Sequence, residues 1–278
     1  MNDSFVNALN TQAATNHWID GITENMVNCY TPGYRENKIN FKTYMGGIAP
    51  DSVLKSTGQG KSTPGTSDEN VYLEGKGFFV IRNDKGRVSY TRLGEFKFDG
   101  EGVYKTADGQ RVQGYILNDK GEIMQGTKPM DADIFNEAAI NGGSVQIPTT
   151  DIKLWIDPGN GKYLGKYDEF KIEGDGIVYG KADNGKVKTP LYKIAIMNFH
   201  NPQQLFEIKP QQFIETDESG KPVASTGEVR GGLIELSNAG LSGNINFWKM
   251  AQTQLSISNK LVQTNKQLLQ EAIELMSS

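Results

Sequence analysis

A single cysteine, Cys29, in 278 residues leaves no partner for an internal disulfide and too few thiolates for a sulfur-built zinc site. Two histidines, His17 and His200, exclude a three-histidine metal centre. No apolar run approaches the roughly 20 residues a membrane-spanning helix requires. The composition is 37% hydrophobic, and no membrane insertion is expected. Basic charge is short as well: 29 Lys and Arg stand against 33 Asp and Glu, a net charge of −4. Nucleic acid or an anionic membrane would need a basic face, so neither is an expected partner. Ten prolines exclude collagen and proline-rich linkers. The opening Met1-Asn2-Asp3-Ser4-Phe5 has neither the basic nor the apolar segment of a cleaved secretory signal, so export would need a route that reads none.

Glycine is in excess, at 32 residues where an average protein of this length has about 20. Turn chemistry explains it. Between residues 71 and 232 short β-type runs alternate with turn signals: Phe78–Ile81, Val88–Thr91, Phe96–Phe98, Val103–Thr106 and Val112–Ile116, separated by Asn83-Asp84-Lys85-Gly86, Asp99-Gly100 and Asp108-Gly109. A second β stretch is expected from Val145 to Thr216, with turns at Asp157-Pro158-Gly159, Asp175-Gly176 and Asn184-Gly185.

The two ends read differently. Residues 1–29 repeat apolar side chains sevenfold at Phe5, Ile19 and Met26, interrupted by Gln12, with Ala8, Ile22 and Cys29 three places further along the stripe. Thr31-Pro32-Gly33 stops this helix, because proline cannot continue the hydrogen-bond ladder. At the other end Leu241, Trp248, Leu255, Val262, Leu269 and Met276 stand at strict seven-residue intervals, and Phe247, Leu261, Leu268 and Leu275 flank them. A lone straight helix would drift off such a repeat by ~20° per heptad, so the stripe implies a partner. Burial of these stripes does not by itself offset the entropy of ordering both ends, and the expectation is that residues 1–30 and 244–278 order only in a polymer.

The expected fold is therefore a mainly β core, of one or more hairpin domains, flanked by N- and C-terminal α-helices that form a coiled-coil-like pair. The expected divisions are an N-terminal helix at 1–36, a flexible linker at 37–70, a β-rich domain at 71–232 (modules 71–126 and 145–216, with a loop at 127–144), and a C-terminal strand and helix at 233–278. No catalytic, cofactor or metal constellation emerges. Gly60-Lys61-Ser62 lacks the P-loop glycine, since Lys55 occupies that place, and Pro64-Gly65 stands where the phosphate-cradling helix would begin. Gly159-Asn160-Gly161 has Leu164 in place of the third dinucleotide-fingerprint glycine. Gly240-Leu241-Ser242-Gly243 lacks nucleophile-elbow spacing and reads as a helix start. An enzyme is not expected.

Several separated segments resemble the flagellar rod and hook protein family. Asn25, Asn28, Thr31, Gly33, Tyr34 and Arg35 fall in the register of its N-terminal signature. Gly75-Lys76-Gly77-Phe78-Phe79 and Tyr90-Thr91-Arg92-Leu93-Gly94-Glu95-Phe96 are similar to its core strand and hairpin. Asn198-Phe199-His200-Asn201-Pro202 and the run Gly232–Asn238 are similar to its later stretches, and Ala251-Gln252, Asn259-Lys260 and Gln263-Thr264 align with its last helix. Thr253 and Leu255 depart from the family's Arg and Tyr, and Gly243-Asn244 from an acidic pair. The resemblance implies a structural subunit of the bacterial flagellar axis, a basal-body rod protein nearest the distal-rod and hook branch, assembling helically through its terminal helices to carry torque. A hook subunit is the alternative within the family, and a β-rich surface adhesin the alternative outside it. The implied partners are further copies of itself, other rod and hook subunits, and the flagellar type III export apparatus. The implied location is the basal body, beyond the cytoplasm. Together, stripe and resemblance nominate an assembly interface of Phe5, Ile19, Ile22, Asn25, Met26, Asn28, Thr31, Gly33, Leu241, Trp248, Gln252, Leu255, Lys260, Val262, Thr264 and Leu269.

Overall fold

A computed structural model describes residues 2–44, 47–125, 128–129, 149–154, 165, 167, 169–225 and 227–277. The expected 127–144 loop (Lys128–Pro129 apart), the Val145 start of the second β stretch, the Asp157-Pro158-Gly159 turn and Gly159-Asn160-Gly161 lie outside the described residues. The chain is mainly β-sheet with one long helix near each end. It divides into two compact units, residues 57–236 with 32–34, and residues 1–31 with 35–56 and 237–278. No helix among the described residues is long and apolar enough to cross a membrane.

The larger unit is built on an antiparallel path of eight described strands. In spatial order these are Glu169–Ile172, Ile177–Ala182, Val187–Ile194, Arg111–Ile116, Phe78–Arg82, Val88–Thr91, Gln212–Ile214 and Phe206–Lys209. Phe78–Arg82 runs through its middle, and the unbroken apolar Phe78-Phe79-Val80-Ile81 is buried on both faces, as an interior strand demands. Phe79 and Ile81 join one cluster with Phe96, Tyr104, Val112 and Ile194. Phe78 and Val80 join another with Tyr90, Tyr115, Phe199 and Phe213. Rings meet edge to face, Phe79 to Phe96 at 5.3 Å and Tyr90 to Phe199 at 4.8 Å, the arrangement their quadrupoles favour. The turns fall where Gly and Asp or Asn predicted them: Gly86, Gly109, Gly176 and Gly185 take positive φ, although beside Asp99 it is Gly102, not Gly100, that does so.

One ion pair ties this unit together. Arg92, in the Tyr90-Thr91-Arg92 hairpin, is 2% exposed, and its Nε donates to Glu235 Oε2 at 2.8 Å. Its remaining donors reach the Gly77 carbonyl at 2.8 Å, Gly75 at 2.9 Å and Leu73 at 3.2 Å. The other oxygen of Glu235 takes the Gly60 amide at 2.8 Å. Every charged atom of the pair is thus matched, which is the condition for a buried ion pair to be tolerated.

That amide belongs to a segment the sequence predicted to be a flexible linker. The structure corrects this. Asn37–Tyr44 and Gly47–Lys55 form an antiparallel hairpin, and Ser62–Pro64 pairs with Leu233–Glu235. The period-two alternation Lys38-Ile39-Asn40-Phe41-Lys42-Thr43 carries the strand signal. The Gly, Ser, Thr and Pro content downstream of it masks that signal in a reading by composition.

The smaller unit holds helix α1 (Asn2–Val27), the 37–55 hairpin, and helix α2 (Leu241–Ser277). At 1.5 Å per residue α2 is about 55 Å long. Both helices are formed along their described length. α1 packs on both α2 and the hairpin, contacts that an accounting restricted to apolar stripes omits. Its approach to the hairpin is close: a side chain at Gly21 would place Cβ 2.5 Å from Ile39 Cδ1.

Replacing Glu235 by Gln should leave Arg92 buried with a charge no longer opposed, and should lower the unfolding free energy by about 3–5 kcal/mol in urea titration. Unchanged stability would show that the pair contributes nothing.

Candidate assembly interface

α1 and α2 lie antiparallel. Asn25 Nδ2 donates to Asn244 Oδ1 at 3.1 Å, Trp18 and Phe247 approach to 6.4 Å between ring centroids, and Gln12 Nε2 donates to Asn259 Oδ1 at 2.8 Å. The deeply buried positions of α2 in this region are Asn244, Ala251 (0% exposed) and Ser258, one heptad apart. On α1 the buried positions are Ala8, Ala14, Thr15, Ile22 and Asn25. Small side chains let two helix backbones approach closely, so the pair closes on the line three places beyond Leu241, Trp248 and Leu255.

The large apolar residues are consequently left at the sides of the pair. Positions three and four along from the buried line share its helical face, and they fall on both flanks. Leu241, Trp248 and Leu269 are exposed on one flank, where Leu255 and Val262 are half-buried. Phe247, Leu261, Leu268 and Leu275 are exposed on the other. Twelve of the twenty-one exposed large hydrophobic side chains among the described residues lie on α2. Exposure climbs toward its end, to 79% at Leu275 and 89% at Met276. A contiguous apolar surface of this kind marks a site of association.

The N-terminal signature has a different task. Asn25 binds the hairpin backbone twice, its Oδ1 accepting the Asn37 amide at 2.8 Å and its Nδ2 donating to the Asn37 carbonyl at 3.0 Å, besides its bond to Asn244. Asn244 Nδ2 donates to Glu36 Oε1 at 3.2 Å, and Asn238 Oδ1 accepts the Glu36 amide at 2.7 Å. Asn28 Nδ2 donates to the Glu24 carbonyl at 2.9 Å, and the Thr31 hydroxyl donates to Asn28 Oδ1 at 3.1 Å, which finishes the helix end. Gly33, in the larger unit, has φ +70°, and a Cβ there would fall 2.9 Å from the Leu93 backbone. Any other residue is excluded twice over.

Of the nominated residues, Ile22, Asn25 and Gly33 are buried within their own chain, and Asn28 and Thr31 bond to each other. Ile22, Asn25, Asn28 and Thr31 are engaged within the smaller unit and Gly33 within the larger. Phe5, Ile19, Met26 and Gln252 are half-buried, and Lys260 and Thr264 are exposed. Asn244, Ala251 and Ser258 were missed. Their seven-residue spacing was present, but a search for large apolar residues passes over it.

No group of His, Cys, Asp or Glu among the described residues could hold a metal ion. The described polar hollow near Asp108, Gln110 and Gln212 is closed on itself. Asp108 accepts from Gln212 at 2.6 Å and Gln110 at 3.0 Å. Burial alone would raise its carboxyl pKa, but hydrogen bonds from Thr106, Gln212 and Gln110, with Lys209 nearby, hold it below the ordinary value.

Fold and surface together define a class: a β-rich chain whose paired terminal helices present an uncovered apolar stripe. Residues 72–180 match the family described as flagellar hook protein FlgE/F/G D1 domain. The flagellar basal-body rod protein FlgG of Bacillus subtilis is 26% identical over 92% of each chain, and that of Borreliella burgdorferi 24% identical over 94% of each. The flagellar hook protein FlgE of Borreliella burgdorferi is 27% identical over 70% of this chain and 47% of its own. The chain is thus similar, over this domain and along most of its length, to flagellar rod and hook proteins.

Asn25→Ala should cost about 2 kcal/mol of stability, since it strands the Asn37 amide and carbonyl, and should speed hydrogen exchange at Asn37. Exchange unchanged from the parent would show that the junction holds without it.

Proposed function

We propose that this chain is a structural subunit of the bacterial flagellar axis, in the basal-body rod, and that it polymerises helically through α1 and α2 to carry torque between motor and filament. The observation that carries this reading is the apolar flank of α2, which the chain's own α1 leaves half-covered or bare. Agreement at 24–26% identity over more than nine-tenths of two rod proteins favours the rod; the hook matches, one of them spanning 97% of its own length at 19% identity, favour a hook subunit as the second reading. In the rod the chain's partners are further copies and other rod and hook subunits. It reaches its place beyond the cytoplasm through the flagellar type III export apparatus. The role is mechanical, with no reaction to catalyse.

Leu255→Asp places an unpaired charge on the flank. Polymer recovered by sedimentation should fall below detection, while melting of the β-rich unit stays within about 0.5 kcal/mol of the parent. Normal incorporation of this variant into rods would refute the interface. Micrographs of basal bodies from a deletion strain separate the two readings: assembly should stop within the rod, whereas a complete rod without a hook identifies a hook subunit.

A further inference from the structure

Three stretches carry the chain across the division between its two units. Pro32–Tyr34 enters the larger unit and leaves it again; the other two crossings are the steps from Ser56 to Thr57 and from Leu236 to Ser237. A single chain, with two soft dihedrals per residue, swivels and passes on little twist. Three chains pass it on together if their ends are fixed to one another. In each unit they are.

Within the larger unit the three stretches meet at Glu235. Its carbonyl accepts the Gly33 amide at 2.8 Å, and its Oε1 accepts the Gly60 amide at 2.8 Å. The following amide, of Leu236, donates to the Lys61 carbonyl at 2.8 Å. A Cβ at Gly60 would stand 1.8 Å from the Leu236 carbonyl oxygen, so nothing larger than glycine fits. Below this tie, Gln59 and Arg92 grip the same turn. Gln59 Nε2 donates to the Leu73 carbonyl at 2.9 Å and its Oε1 accepts the Gly75 amide at 3.0 Å. Arg92 donates to the carbonyls of both residues as well as to Glu235.

Within the smaller unit the same three stretches meet again, and each binds the other two. Asn238 Oδ1 accepts the Glu36 amide at 2.7 Å, and Asn238 Nδ2 donates to the Ser56 carbonyl at 3.4 Å. The Ser56 amide donates to the Glu36 carbonyl at 2.8 Å. Residues 34–35, 57–59 and 236–237 lie between the two ties.

We propose that Glu235 and Asn238, each tying the three stretches together inside its own unit, make them carry twist in parallel. Torque borne by the terminal helices then reaches the β-rich unit through three chains that share the load. The load-bearing part of this proposal rests on the rod reading above; the ties do not.

The ties are tested by hydrogen exchange in the purified full chain, at amides that the substituted side chain does not touch. Glu235→Gln leaves the residue's own carbonyl in place, yet Gly33 and Leu236 should exchange about tenfold faster relative to Val80 in the core. Asn238→Ala should have the same effect at Ser56. Acceleration confined to Gly60 and Glu36, the amides these side chains bind directly, would overturn the ties. Load is read in cells carrying either variant: tethered-cell rotation should stop at a lower medium viscosity than in the parent. Rotation equal to the parent at every viscosity would overturn the torque-bearing role. A deletion strain that still builds complete flagella would instead count against the proposed function and leave the ties to be judged by exchange.

Discussion

How closely two helices approach is set by the side chains between them, and in this chain that constraint decides how much apolar surface stays uncovered. α1 and α2 close on Asn244, Ala251 and Ser258, the narrow line of α2. Two broader lines of Leu, Ile, Phe and Met then stand to either side, where one helix of α1's width cannot cover both. Had the pair closed on Trp248 and Leu255, the molecule would have hidden its stripe and kept little to offer a neighbour. Small residues inside and large ones outside is the reverse of an ordinary two-helix hairpin, and it is the feature on which the proposed assembly rests.

Two polar devices hold the framework that presents this surface, one within each unit. Asn25 uses both ends of its amide on the hairpin backbone and reaches α2 as well, which sets where α2 begins along α1. Such bonds have direction, so they fix a register that apolar contact alone would leave loose. Arg92 and Glu235 act similarly in the β-rich unit. Their cost of desolvation is large, and it is offset only while every donor and acceptor around them is in place.

Much of this was legible in the residues, and the exceptions have physical causes. The Phe78–Ile81 strand and its hairpins were plain because alternation and Asp-Gly turns are local signals. The heptads gave both helices, and the N-terminal signature gave the residues that matter at the junction. What it did not give was their direction: Asn25 and Gly33 are buried within the chain itself. The hairpin at 37–55 was mistaken for a linker because composition drew more notice than period. Ala251 and Ser258 were passed over because small residues carry weight only once a second backbone lies against them. Arg92 and Glu235 are 143 residues apart, and no local pattern announces such a pair.

The central claim, that α1 protects the narrow line of α2 while the rest waits for another subunit, is tested most directly by hydrogen exchange along α2 in monomer and in polymer. In the monomer, amides up to about Ser258 should be protected and those from Val262 to Met276 should exchange fast, with all of them protected in the polymer. Slow exchange of the 262–276 segment in a verified monomer, or fast exchange of it in the polymer, would contradict the account.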